Sequence, residues 1–181
     1  MRASESLTVT EVAALARLEE RRVRKEVEHG VLDRHDPLRF DFRELVYFFA
    51  LNALGIQFGV DERKSLHRKI DSALAEHRPP ARIEVSPVLE LRLDRVARDA
   101  KTRLDSFRAW KDRLVVRPEV LGGEPAFPKS RLAVRHVGGM LLRGASPQEV
   151  LEDYPYIDEQ DLEFARVFAQ AYPRMGRPRA G

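Results

Sequence analysis

The chain has 181 residues, 43% hydrophobic and 34% charged, with no apolar run near the roughly 20 residues a membrane span needs; one medium domain or two small ones with a charged surface are expected. The absence of cysteine excludes disulfides and thiolate metal sites and fits a reducing compartment. Net charge is only +3, and residues 1–45 hold 9 basic and 10 acidic side chains, 46–116 hold 14 and 10, and 117–181 hold 9 and 9, so any contact with nucleic acid must come from local clusters rather than a basic block.

The N-terminal MRASESLTVT lacks the basic start and apolar core of a signal peptide, so a cytoplasmic location with no membrane association is expected. Thr8 to Leu18 reads as a short helix, with Thr10 as cap and Val12 and Leu15 on one face. After a tight turn comes RRVRKEVEHGVL, with Val23 and Val27 four apart and Gly30 as the stop. Two short helices, the second rich in arginine, give a helix-turn-helix pattern. Only six of the 32 basic residues are lysine. Arginine makes the better bidentate contacts to phosphate and guanine, and codon bias in a GC-rich genome explains the excess equally well.

A turn at Asp36-Pro37 precedes the alternation Leu38, Phe40, Phe42, which predicts a short wing strand. Arg43 to Leu54 is a strongly apolar helix carrying Leu45, Val46, Phe48, Phe49 and Leu51, and Asp61 to His77 a charged one. Arg82–Val85 and Val88–Leu93 alternate as two strands. Asp94 to Leu114 is a long helix whose positions Val96, Ala100, Leu104, Phe107 and Leu114, with Trp110 beside them, make a stripe that packs on its own domain or forms a dimer seam.

Gly122-Gly123 permits a tight turn. A helix starting in Leu132–Val137 runs to about Arg143, where Gly144 stops it. Ser146-Pro147-Gln148-Glu149 combines an N-cap, a proline at the first helical position and a capping box. Tyr154-Pro155 breaks that helix, and Asp158 caps the last one, with Leu162, Ala165, Phe168 and Ala169 inward. The fold class read from this pattern is mainly α with a few short strands: two helix-turn-helix-like units joined by a strand pair and a long helix. The divisions are 1–57, 58–116, 117–172 and a tail, 173–181.

Two resemblances add to this reading. Leu7-Thr8-Val9-Thr10-Glu11-Val12-Ala13 with Arg21-Arg22-Val23-Arg24-Lys25 resembles the MerR-like winged helix over about 50 residues. It implies that the second helix enters the major groove and the wing touches phosphate. Arg21, Arg22, Arg24 and Lys25 would then face DNA, with Arg39 as the wing's cation. The alternatives are a solvated helix face neutralised by Glu19, Glu20, Glu26 and Glu28, or a protein-interaction module.

The ordered set VVRPEVLGGEPAF (115–127), KSRLAVRHV (129–137), GASPQEVLEDYP (144–155) and 161–171 is similar to the domain-of-unknown-function family 433, whose members are grouped with VapB-type antitoxins. One departure is Lys129-Ser130 where that family has a glycine-threonine pair, so the turn at Pro128-Lys129 is expected to differ, since lysine tolerates positive φ poorly. The last helix is acidic at its start, which assigns this unit to dimerisation or toxin binding ahead of DNA. The resemblance implies a PIN-like ribonuclease toxin as partner. Such sites cluster carboxylates around a metal, and Arg174, Arg177 and Arg179 in the tail are candidate plugs for it; a tail without fixed structure is the alternative.

Catalysis is not expected. His29, His35, His67, His77 and His136 form no i,i+3 or i,i+4 pair, Gly122-Gly123 lacks the lysine of a phosphate loop, and no metalloprotease or serine-hydrolase motif is present. The resulting expectation is a non-enzymatic antitoxin that needs no cofactor. It would dimerise, bind double-stranded DNA at its own promoter and inhibit the toxin. A stand-alone dimeric regulator of transcription is the alternative.

Overall fold

The computed structural model describes residues 6–119 and 121–173. Among them the protein is mainly helical, with eight α-helices and one two-stranded antiparallel sheet, as the periodicity predicts. No helix among these residues is long and apolar enough to cross a membrane. The chain divides into two compact units, the division falling between Ser106 and Phe107.

In the first unit, α1 (Val9–Ala16) begins at a capping box. The Thr8 hydroxyl accepts the Glu11 N–H at 3.1 Å, and the Glu11 carboxylate accepts the Thr8 N–H at 2.9 Å. Thr8 is therefore the cap, and Thr10, expected in that role, lies one residue inside the helix. α1 ends where Arg17 turns left-handed (φ 55°), and α2 (Glu20–Glu28) follows after three residues. Gly30 (φ 62°) closes α2 as expected.

The expected wing strand is not formed. Phe40 pairs only with Leu7, through reciprocal bonds of 2.8 and 2.9 Å. The reason is Asp41, whose carboxylate accepts the N–H groups of Arg43 (2.8 Å) and Glu44 (3.0 Å) and so draws Phe42 into the first turn of α3 (Phe42–Leu54). The helix signal overrides the alternation at its third member. Leu45, Val46, Tyr47, Phe48 and Leu51 of α3 form the core of the unit with Val12, Leu15, Val23 and Phe40. Leu66 and Ile70 of α4 (Val60–Ala75) are buried as well.

The strands β1 (Ile83–Ser86) and β2 (Leu89–Leu91) pair Ile83 with Leu91 and Glu84 with Glu90, with an irregularity before Ser86. Lys69 of α4 holds β1 by donating to the Glu84 carbonyl at 2.8 Å. The stripe on α5 (Leu93–Arg113) is covered within the chain: Val96, Ala100, Leu104 and Phe107 are all buried. That outcome matches packing on its own chain rather than an open seam.

His67 of α4 sits edge-on to the Tyr47 ring at 5.3 Å. Burial lowers its pKa below the ordinary value of about 6.5, outweighing the opposite pull of Asp71, Asp33 and Asp41. A lowered folded-state value means that stability is present above the unfolded pKa and lost as pH falls through the folded one. Thermal melts at pH 7.5 and 5.5 should show a loss at the lower pH, and His67→Phe, which keeps the ring contact, should shrink that difference.

The second unit opens with a small ladder. Val115 and Ala126 exchange backbone bonds at 3.0 and 3.1 Å, and Ala126 also bridges to Ala133. Between the latter two, the chain turns at Lys129, whose φ is 58°. Lysine thus takes a left-handed conformation that glycine takes more easily, at a cost of order 1–3 kcal/mol. The Ser130 hydroxyl locks this turn, donating to the Phe127 carbonyl (3.1 Å) and accepting the Leu132 N–H (3.2 Å). The buried Phe127 ring anchors it below.

α6 (Val134–Leu142), α7 (Pro147–Asp153) and α8 (Glu159–Ala171) follow. The expected caps are present: Ser146 with Glu149, and Asp158 with Asp161, each reciprocally bonded. Gly138 of α6 lies so close to α8 that a Cβ there would run into the Ala165 carbonyl oxygen and come within 2.6 Å of the Ala169 Cβ. Leu162, Ala165, Phe168 and Ala169 face inward as expected. At the other side of α8, Trp110 stacks on Phe164 (5.4 Å, 21° between planes) and carries the Arg113 guanidinium 4.0 Å above its ring.

Candidate nucleic-acid interface

The sequence of α2 is almost wholly charged, so one buried stripe must hold it to the unit. Val23 is fully buried, Val27 half-buried, and the stripe is completed by a carboxylate, Glu26, only 4% exposed. A buried carboxylate is tolerated only when its oxygens are bonded. Glu26 Oε2 accepts the Tyr47 hydroxyl of α3 at 2.9 Å and Nε of Arg63 from α4 at 3.0 Å. Arg63 in turn donates to the Phe58 carbonyl at 2.6 Å and to His29 Nδ1 at 3.0 Å. The Tyr47 phenol is pushed well above the usual tyrosine range, first by burial and then by the Glu26 charge.

This arrangement changes the charge on the outer face. Sequence reasoning counted Glu26 among four carboxylates neutralising the helix, and it points inward instead. Arg21, Arg24 and Lys25, at i, i+3 and i+4, share one exposed face. Arg22, also exposed, lies a fraction of a turn away towards Glu26. Arg24 has an exposed partner in Glu20 at 3.7 Å, a contact worth little in water. Arg21, Arg22 and Lys25 have no hydrogen-bond or ion-pair partner among the described residues.

The loop before α3 lies beside this face. Arg24, Val27 and Glu28 line a cleft of about 360 Å³ together with Arg34, His35, Asp36 and Leu38. Arg34 is a cation that the strand reading passed over. Arg39 is exposed, its guanidinium donating to the Leu38 carbonyl at 3.1 Å. It projects from a loop rather than from a strand. Arg174, Arg177 and Arg179 lie outside the described residues. No cluster of three or more histidine, aspartate or glutamate side chains able to hold a metal occurs among the described residues.

The fold and the face together describe a mainly helical protein whose first unit exposes a cluster of cations on α2. In the second, residues 114–169 match the family described as "Protein of unknown function (DUF433)", the family the C-terminal motifs led us to expect. The chain is similar to an uncharacterized protein, y4eO, of Sinorhizobium fredii (strain NBRC 101917 / NGR234), with 33% identity over 82 residues. That stretch is 45% of this chain and only 37% of the relative's length. No solved structure matches the chain.

Proposed function

We propose that this protein binds double-stranded DNA through the outer face of α2 and represses its own promoter as the antitoxin of a PIN-like ribonuclease. The observation that carries the DNA reading is the inward turn of Glu26, which leaves Arg21, Arg22, Arg24 and Lys25 as an exposed cationic surface little more than one turn long. Cations so spaced reach successive phosphates, and one or two can fork onto guanine. Arg34 and Arg39 of the neighbouring loop extend the surface towards the flanking backbone. The repressor would act as a homodimer, by binding and not by catalysis. The toxin partner rests only on what the resemblance of the C-terminal motifs to family 433 implies, with Arg174, Arg177 and Arg179 as its proposed contacts.

The double variant Arg21→Ala/Lys25→Ala removes two unpartnered cations and should leave the melting temperature unchanged. Its affinity for the promoter duplex should fall roughly tenfold or more at about 0.1 M salt, and the slope of log K against log salt should flatten by about two. An unchanged slope in a gel-shift or anisotropy titration would remove the α2 reading. A ribonuclease assay of the product of the adjacent gene, with and without this chain, tests the antitoxin role. Promoter binding without inhibition would leave a stand-alone dimeric regulator.

A further inference from the structure

The second unit carries a cluster of cations that the α2 reading does not use. Arg117, Lys129 and Arg131, all exposed, line one cleft of about 370 Å³ with Val115, Ala126 and Ser130. No carboxylate lines it, and none of the three cations has a hydrogen-bond or ion-pair partner among the described residues. Their meeting is built by the backbone. The Val115–Ala126–Ala133 ladder sets Arg117, two residues beyond Val115, beside the turn that carries Lys129 and Arg131. Ser130 has its hydroxyl committed to Phe127 and Leu132, so it fixes the turn and leaves the cations free to bind. Lys129 is held left-handed at this point, a conformation retained only where the surroundings impose it.

Three like charges around one hollow repel each other unless an anion sits among them. Two guanidinium forks and an ammonium suit a tetrahedral oxyanion. The walls offer Val115 and Ala126 and no aromatic ring, so neither a base platform nor the buried apolar anchor of a protein interface is available. We infer that this cleft is a phosphate site, and that its occupant is a phosphodiester of a nucleic-acid backbone, held without regard to sequence. The unit thus contacts nucleic acid at its leading turn, away from the acidic start of α8. The inference stands on its own residues and survives if α2 proves not to bind.

The test uses the full chain, a duplex of arbitrary sequence of about 20 base pairs, and inorganic phosphate as the small probe. Two variants are compared with the parent and with Arg21→Ala/Lys25→Ala. Arg117→Ala/Arg131→Ala should flatten the salt slope of duplex binding by about two. Lys129→Gly removes a cation while restoring the residue that prefers the left-handed turn, so it should fold at least as stably and flatten the slope by about one. If both variants keep the parent's slope, the inference is overturned. If they lose millimolar binding of inorganic phosphate but keep the duplex slope, the occupant is a free phosphate compound and the nucleic-acid assignment fails. Loss of slope in the α2 variant alone overturns this inference and leaves the proposed function standing. Loss in the cleft variants alone does the reverse.

Discussion

Gly138→Ala should be among the most destabilising single-methyl additions in the second unit. Alanine in a helix interior gains about 1 kcal/mol over glycine. Here the new methyl meets the Ala165 carbonyl oxygen, a backbone atom inside α8, with the Ala169 methyl behind it. Neither can swing away, so α6 and α8 must separate along their contact. Overpacking against a well-filled interface costs about 1–3 kcal/mol and sometimes more, and a backbone collision belongs at the upper end. The net loss should be about 2 kcal/mol, which for a unit of this size lowers the melting temperature by on the order of 10 °C. Gly139→Ala is the matched control. Its methyl meets only the end of the Arg143 side chain, at 3.1 Å, which can move. The control should be neutral or raise stability by up to about 1 kcal/mol. Equal behaviour of the two variants in thermal melts would show that α6 and α8 do not approach as described.

The second large effect is expected at Glu26. Glu26→Ala strands the Arg63 guanidinium, 16% exposed, and removes the acceptor of the fully buried Tyr47 hydroxyl. Removing one member of a buried pair costs about 3–5 kcal/mol because the other charge remains. Arg63 keeps its bonds to Phe58 and His29, which places the loss at the lower end. Glu26→Gln retains an acceptor for both partners and should cost less than half as much. The α2 face depends on this anchor, so the alanine variant should also weaken duplex binding, although Glu26 faces away from solvent. Denaturant unfolding beside an anisotropy titration checks both; a drop in stability with unchanged binding would separate the anchor from the face.

Much of the fold was legible because its signals are local. Ser146-Pro147-Gln148-Glu149 and Asp158 specify helix starts from neighbouring residues alone, and Gly30 and Gly144 mark stops in the same way. The wing strand failed for a local reason also: Asp41 with Glu44 is a capping box, and it competes directly with the alternation it follows. The site was less legible. Glu26 lies three residues after Val23 on the stripe that had to be buried, and that spacing was the available signal. Its partners Tyr47 and Arg63 lie 21 and 37 residues away and cannot be paired with it from sequence. The same holds for Arg117 with Lys129 and Arg131, which meet only through a ladder of three separated segments. Gly138 and Gly139 sit inside a helical pattern where glycine is costly, a signal of close approach that the sequence reading did not use.

The chain contains a single tryptophan, and its position decides what fluorescence can see. Trp110 reports through Phe164 and Arg113, all three in the second unit. Its emission therefore follows the loosening of α8 from the end of α5 and is blind to the core around Tyr47. Far-UV circular dichroism, by contrast, sums the helices of both units. A protein with two cores need not melt in one step, and in this one fluorescence follows the second unit while circular dichroism follows both.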